Sequence, residues 1–136
     1  MERNNHNEHP NILGLKCWKQ EKLLEAEKCF LKAIKQSPNG SAGYCFLVSL
    51  YIDKHEFDQA RTVLEIRQRK FPHLRASYHI ELAKIFSLER DKENALFHLK
   101  AALDANFDNN EMILRDRKLE YVRGTPEFRQ LMMTKR

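Results

Sequence analysis

Apolar residues along this chain recur at steps of three and four. Leu23, Ala26, Phe30, Ala33 and Ile34 fall in one such series, and Tyr44, Leu47, Val48 and Tyr51 in the next. The spacing returns in Phe57, Ala60, Val63 and Leu64, in Leu82, Ala83 and Phe86, and in Ala95, Leu99, Ala102 and Leu103. A helix brings residues three and four apart onto one face, so each series predicts an amphipathic helix. Breaks near Gln20-Glu21, Pro38 to Gly43, Lys54-His55, Phe71 to His73 and Arg90-Asp91 separate the series. Asn39-Gly40 could close a tight turn between strands, which would require alternating apolar and polar flanks. Its flanks are helical in spacing. An all-α chain of helix, short turn, helix is predicted.

The chain also aligns on itself. Ala26, Ala60 and Ala95 lie 34 and 35 residues apart, and each precedes a large apolar residue by four: Phe30, Leu64 and Leu99. Pro38 and Pro72 follow the first two alanines by 12. Leu13-Gly14, Leu47-Val48 and Leu82-Ala83 line up upstream, with Cys17, Tyr51 and Phe86 three residues after the second member. A small residue lets two antiparallel helices approach closely, and large ones fill the space between neighbouring pairs. One pair cannot bury its own apolar stripe, so about three must stack.

The period and the pattern (Leu-Gly, a later aromatic, then Ala-x-x-x-Phe and Pro) resemble the tetratricopeptide repeat. The copies span about 7–40, 41–74 and 76–109. The first is the best match, with Leu13, Gly14, Ala26, Phe30, Ala33 and Pro38 in place and Cys17 where the family usually has an aromatic. In the second, Arg67 replaces a small residue; in the third, Phe107 stands in place of the proline. The resemblance implies a right-handed α-solenoid of three helix-turn-helix repeats, one domain over 1–136. Residues 110–134 do not repeat and resemble the closing segment of such arrays, through Asp116, Leu119, Arg123, Pro126 and Phe128. Thr125-Pro126-Glu127 predicts a helix start: a hydroxyl cap, proline in the first turn, then an acid near the positive helix end.

In this family the first helix of each pair lines a concave groove. Carried over, the resemblance implies a lining of Asn11, Ile12, Leu15, Trp18 and Lys19 from the first pair. The second supplies Cys45, Phe46, Ser49, Ile52 and Asp53, and the third Ile80, Glu81, Lys84 and Ser87. Ile12, Leu15, Trp18, Phe46, Ile52 and Ile80 would form an apolar strip, and exposed apolar area of that kind marks binding surfaces. Trp18 is the expected anchor; Asp53, Glu81 and Lys84 would set orientation. Relatives that grip the carboxylate tail of heat-shock chaperones use a basic clamp here. The matching places hold Asn11, Leu15, Phe46, Ser77 and Glu81, none positively charged, so a chaperone carboxylate-tail clamp is not expected.

Composition changes this picture little. Of 136 residues, 42% are hydrophobic and 32% charged, which argues for a folded chain. The formal charge of +5 leans basic, but Glu21, Glu25 and Glu27 sit among Lys16, Lys19, Lys22, Lys28, Lys32 and Lys35, the mark of a solvated face. Arg61, Arg67, Arg69, Lys70 and Arg75 form a denser cluster that could meet phosphates. With the aromatics allotted to the repeat core, nucleic-acid binding is the weaker reading. The three cysteines, Cys17, Cys29 and Cys45, match no metal or redox spacing; Cys17 and Cys29 are expected to be buried, as suits a reducing compartment. His6 and His9 flank Glu8, more as a polar arm than a metal site. No phosphate-binding glycine loop and no nucleophile elbow are present. No catalytic residue, cofactor or metal is expected, and the chain reads as a non-enzyme. With no signal-like or membrane-spanning stretch in the sequence as given, the expectation is cytoplasmic. The expected function is an adaptor or scaffold that holds a peptide or helical segment of another protein. The alternative is a chaperone shielding a secreted or aggregation-prone client.

Overall fold

The computed structural model describes residues 8–134. Among them are nine α-helices and no strand. They are α1 (Pro10–Lys19), α2 (Leu23–Gln36), α3 (Ala42–Asp53), α4 (Phe57–Lys70), α5 (Arg75–Leu88), α6 (Lys92–Asp104), α7 (Asn110–Arg115), α8 (Glu120–Arg123) and α9 (Pro126–Thr134). Short 3-10 turns occupy Pro72–Leu74 and Arg117–Leu119. None of these helices is long and apolar enough to cross a membrane. The first predicted repeat begins at residue 7, outside the described residues.

Consecutive helices pack as pairs: α1 on α2, α3 on α4, α5 on α6. Each pair turns in the same way. Glu21, His55 and Arg90 take the left-handed conformation, with φ of 61°, 58° and 61°. In each turn the next residue sends its N–H back to the fifth residue before it: Lys22 to the Cys17 carbonyl (2.8 Å), Glu56 to Tyr51 (2.9 Å) and Asp91 to Phe86 (2.8 Å). This closure satisfies carbonyls that a helix end leaves open, and it normally falls to glycine. The three acceptors are the residues that align in the sequence repeat.

The second helix of each pair buries the same positions. Ala26, Ala60 and Ala95 are fully buried, as are Phe30, Leu64 and Leu99. Ala33, Arg67 and Ala102 follow, so a 1% exposed arginine lies where the other two pairs have alanine. Its Nη1 donates to Cys45 Sγ at 3.3 Å.

The chain divides into two compact units, 1–71 and 72–136. In the first, α3 packs on both α2 and α1. Gly14 permits the close approach of α1 and α2, because a Cβ there would lie 2.8 Å from Phe30 Cδ1. Glu27 of α2 is tied to α3 by the Tyr51 hydroxyl, which donates at 2.6 Å, and by Lys54 at 3.3 Å. Burial, then the hydrogen bond to Glu27, raises the Tyr51 pKa well above its ordinary value. Burial works against the Lys54 charge, but Glu27 and Glu56 outweigh it and raise that pKa.

In the second unit the hairpin α5/α6 is covered by the irregular C-terminal segment. Leu119, Val122 and Phe128 join Ile80, Ala83, Ala95 and Leu99 in one core, with Ile113. Arg123 Nη1 holds the segment's own carbonyls, donating to Ile113 (3.0 Å) and Asp116 (2.5 Å). The helix start predicted at Thr125 is found: its Oγ1 accepts from Phe128 N at 3.2 Å, and α9 begins at Pro126.

Candidate functional site

In the first unit, α1 carries Asn11, Ile12, Leu15 and Trp18. Ile12 is 47% exposed and Leu15 40%. Trp18 is half-buried, its ring edge-on to Phe30 at 6.1 Å. Phe30 in turn stacks on Phe46 of α3 at 5.5 Å. A fully buried ring thus sits between two half-buried ones, and the anchor candidate is braced from below. The Asn11 side-chain Oδ1 is shielded from solvent and accepts no hydrogen bond. Closed to solvent, that oxygen is equally closed to a docking partner, and leaving it unpaired costs the fold about 1–3 kcal/mol. His9 is the N-cap of α1, its Nδ1 accepting from Asn11 N at 3.0 Å. His6 lies outside the described residues.

On α3, Phe46 and Ser49 are half-buried and Asp53 is exposed. Ile52, expected in the lining, is only 1% exposed. The physical reason is the helix itself: Tyr44, Leu47, Val48, Leu50, Tyr51 and Ile52 are all buried on α3, and a helix that is apolar all round becomes interior. Cys45, partly exposed, lies against the Arg67 guanidinium.

The second unit departs further from expectation. Ile80 is 2% exposed and belongs to the core that the closing segment completes. Glu81 and Lys84, expected to orient a partner, bond each other at 3.3 Å. Lys84 also reaches Asp116 at 3.4 Å. Asp116 itself is desolvated, yet the Lys118 backbone N–H and Lys84 depress its pKa. Ser87 is fully buried and accepts the Val122 N–H at 3.2 Å. The chain's own C-terminal segment therefore uses the groups of α5 that were assigned to a partner.

The basic cluster loses two of its members to the fold of the first unit. Arg67 is interior, and Arg61 pairs with Asp58 at 2.8 Å. Cys17 and Cys29, expected to be buried, are partly exposed free thiols. One arrangement escaped the sequence reading. His79 of α5 and His98 of α6 set their Nδ1 atoms 3.0 Å apart, with Phe86 stacked on His98 at 5.5 Å. The ring centroids are 5.2 Å apart, close to that separation plus two ring radii, so both nitrogens lie on the line between the rings. One proton fits there and a metal ion does not. The sequence carried only a partial signal: His79 and His98 lie on the two helices that the turn at Arg90 folds together, but at unequal distances from it. Among the described residues no three His, Cys, Asp or Glu side chains gather as metal ligands.

Compared with protein-family models, with curated proteins and with solved structures, the chain has no match in any of the three.

Proposed function

We propose that the protein is an interaction module of the tetratricopeptide type, which holds a segment of another protein against the α1 face of its first unit. The observation that carries this reading is the pair Ile12 and Leu15, left two-fifths or more exposed beside Trp18. A helix-hairpin fold of this size gains nothing from apolar side chains held in water. Each yields only about 1 kcal/mol on completing its burial, so the half-buried Trp18 supplies the rest of the affinity. A partner segment that presents apolar residues on one face, such as an amphipathic helix, has the matching chemistry.

Support for the repeat assignment comes from the turns. Three left-handed closures at one spacing, each on the aligned residue, fit three copies of one hairpin, and the right-handed solenoid is the arrangement those copies take in this reading. The three free thiols agree with a cytoplasmic setting. Relative to the lining expected from sequence, the proposed site contracts to Asn11, Ile12, Leu15, Trp18, Phe46 and Ser49, with Asp53 at its margin.

The test is affinity capture from the source cells with wild type and with an Ile12→Asp, Leu15→Asp double variant. Both residues are exposed, so the variant keeps its helical signal and melting temperature. The proposal expects at least one protein retained by wild type and lost by the variant. Identical captured sets would refute it.

A further inference from the structure

We propose that two copies of this chain associate through the outward face of α6, with Phe97 of each copy seated in a hollow of the other. Phe97 is 64% exposed, more than any other large apolar side chain described. The hairpin does not require it: in the register that aligns Ala26, Ala60 and Ala95, the same position holds Lys28 and Thr62 in the other two pairs. Glu93, Phe97 and Lys100 are all exposed and fall four and three residues apart, so they form one stripe. Each precedes by two residues a fully buried position, Ala95, Leu99 or Ala102. Two residues carry a helix about 200° round its axis, so the stripe points away from the core. Beside it lies an open hollow of about 380 Å³, with Leu96, Phe97 and Lys100 of α6 on one side and Gln130 and Leu131 of α9 on the other. Lys92 bonds Glu127 at 3.0 Å and ties α9 to α6 across that hollow. It has room for a phenylalanine ring.

Charge complementarity identifies a second copy as the occupant. In a two-fold pair every contact is made twice, once in each direction. Laid antiparallel about a point between Leu96 and Phe97, the two α6 helices bring Glu93 of one copy opposite Lys100 of the other at both ends of the stripe. The same register sets each Phe97 beside Leu96 of the second copy, at the mouth of its hollow. A parallel arrangement would oppose Glu93 to Glu93, and a register four residues longer would oppose Glu93 to Asp104. The stripe is therefore its own complement in one arrangement and repulsive in these others. Lys100 meets Asp104 at 2.9 Å within its own helix, an exposed pair of little energy that leaves the ammonium two further donors. One helix face and its hollow make a small interface, so the association is expected to be reversed by dilution.

The test is sedimentation velocity of the full-length protein over rising concentration at physiological ionic strength. The expected result is a monomer that converts reversibly to a dimer. Phe97→Ser should raise the dissociation constant about tenfold or more, with helical signal and melting temperature unchanged because the ring is exposed. Glu93→Lys and Lys100→Glu should each weaken the dimer by setting like charges opposite each other. An equimolar mixture of those two variants should form a mixed dimer, since opposite charges then meet at both ends; that recovery also shows that neither variant is misfolded. The Ile12→Asp, Leu15→Asp variant should dimerise as wild type does, which separates this interface from the α1 face. A wild type that stays monomeric up to millimolar concentration would overturn the proposal. So would a dimer that Phe97→Ser leaves intact, or a mixture that associates no better than its two components alone.

Discussion

The two units carry hairpins of one design and leave them in different states. In the first, the face of α1 with Ile12 and Leu15 stays open, and the aromatic series Trp18, Phe30, Phe46 stiffens it from beneath. In the second, the corresponding helix α5 is closed over by residues 116–123, which bury Ile80, bond Ser87 and engage Lys84 through Asp116. The repeat register is the same in both. What differs is the residues at the outward positions and whether the chain itself supplies a covering layer. Exposure of an apolar helical face thus depends on its neighbours and on the residues at the corresponding positions, since Ile12 and Leu15 of α1 align with Glu81 and Lys84 of α5.

Removing the centre of either core should have the largest effect. Phe30→Ala should cost about 3–5 kcal/mol and Leu119→Ala about 2–5 kcal/mol, read by chemical denaturation. The comparison sharpens if Phe30→Ala also shifts the emission of Trp18, the sole tryptophan, and Leu119→Ala does not. Gly14→Ala comes next. Its Cβ would enter the Phe30 ring, and the overpacking should cost about 1–3 kcal/mol. A variant as stable as wild type would mean that α1 and α2 are less closely packed than described.

Acid should weaken the second unit through its histidine pair. Burial and then Arg75 lower the His79 pKa; burial and then His79 lower that of His98. Because both folded values lie below the ordinary 6.5, the unfolded chain takes up protons first as pH falls. The stabilisation is complete above pH 6.5 and is lost progressively as pH drops towards the folded values. Melting temperature should fall over that window in wild type and fall less in a His79→Gln, His98→Gln variant. Equal slopes would remove the shared-proton account of the pair.

The smallest effects are expected at the turns. A left-handed non-glycine residue costs roughly 1–2 kcal/mol, and glycine returns part of that to chain entropy. Glu21→Gly should therefore stabilise by somewhat under 1 kcal/mol. Arg90→Gly should gain less, since Arg90 also lies over the Tyr121 ring at 5.3 Å. A larger gain at Arg90 than at Glu21 would contradict this ranking.

Much of the architecture was legible in the sequence because helix spacing and turn positions are local. The breaks at Gln20-Glu21, Lys54-His55 and Arg90-Asp91 are where the hairpins turn, and the alanines at 26, 60 and 95 are the buried small positions. The candidate site was less legible. Ile12 and Leu15 are exposed as expected, but Ile52 and Ile80 are not, because their burial depends on what packs over them. The roles of Lys84 and Ser87 were hidden for the same reason: their partners, Asp116 and Val122, lie about thirty residues further along the chain. Arg67 was recognised as a departure from the repeat, yet its burial against Cys45 needs the fold to be seen.

The most direct test of the open face against the closed one is site-specific photo-crosslinking in the source cells. The account predicts that a photoreactive residue at Leu15 captures another protein. The same residue at Lys84 should capture only the chain's own segment around Asp116. Leu15 yielding no more intermolecular product than the outward Leu31, or Lys84 capturing the same foreign protein, would contradict it.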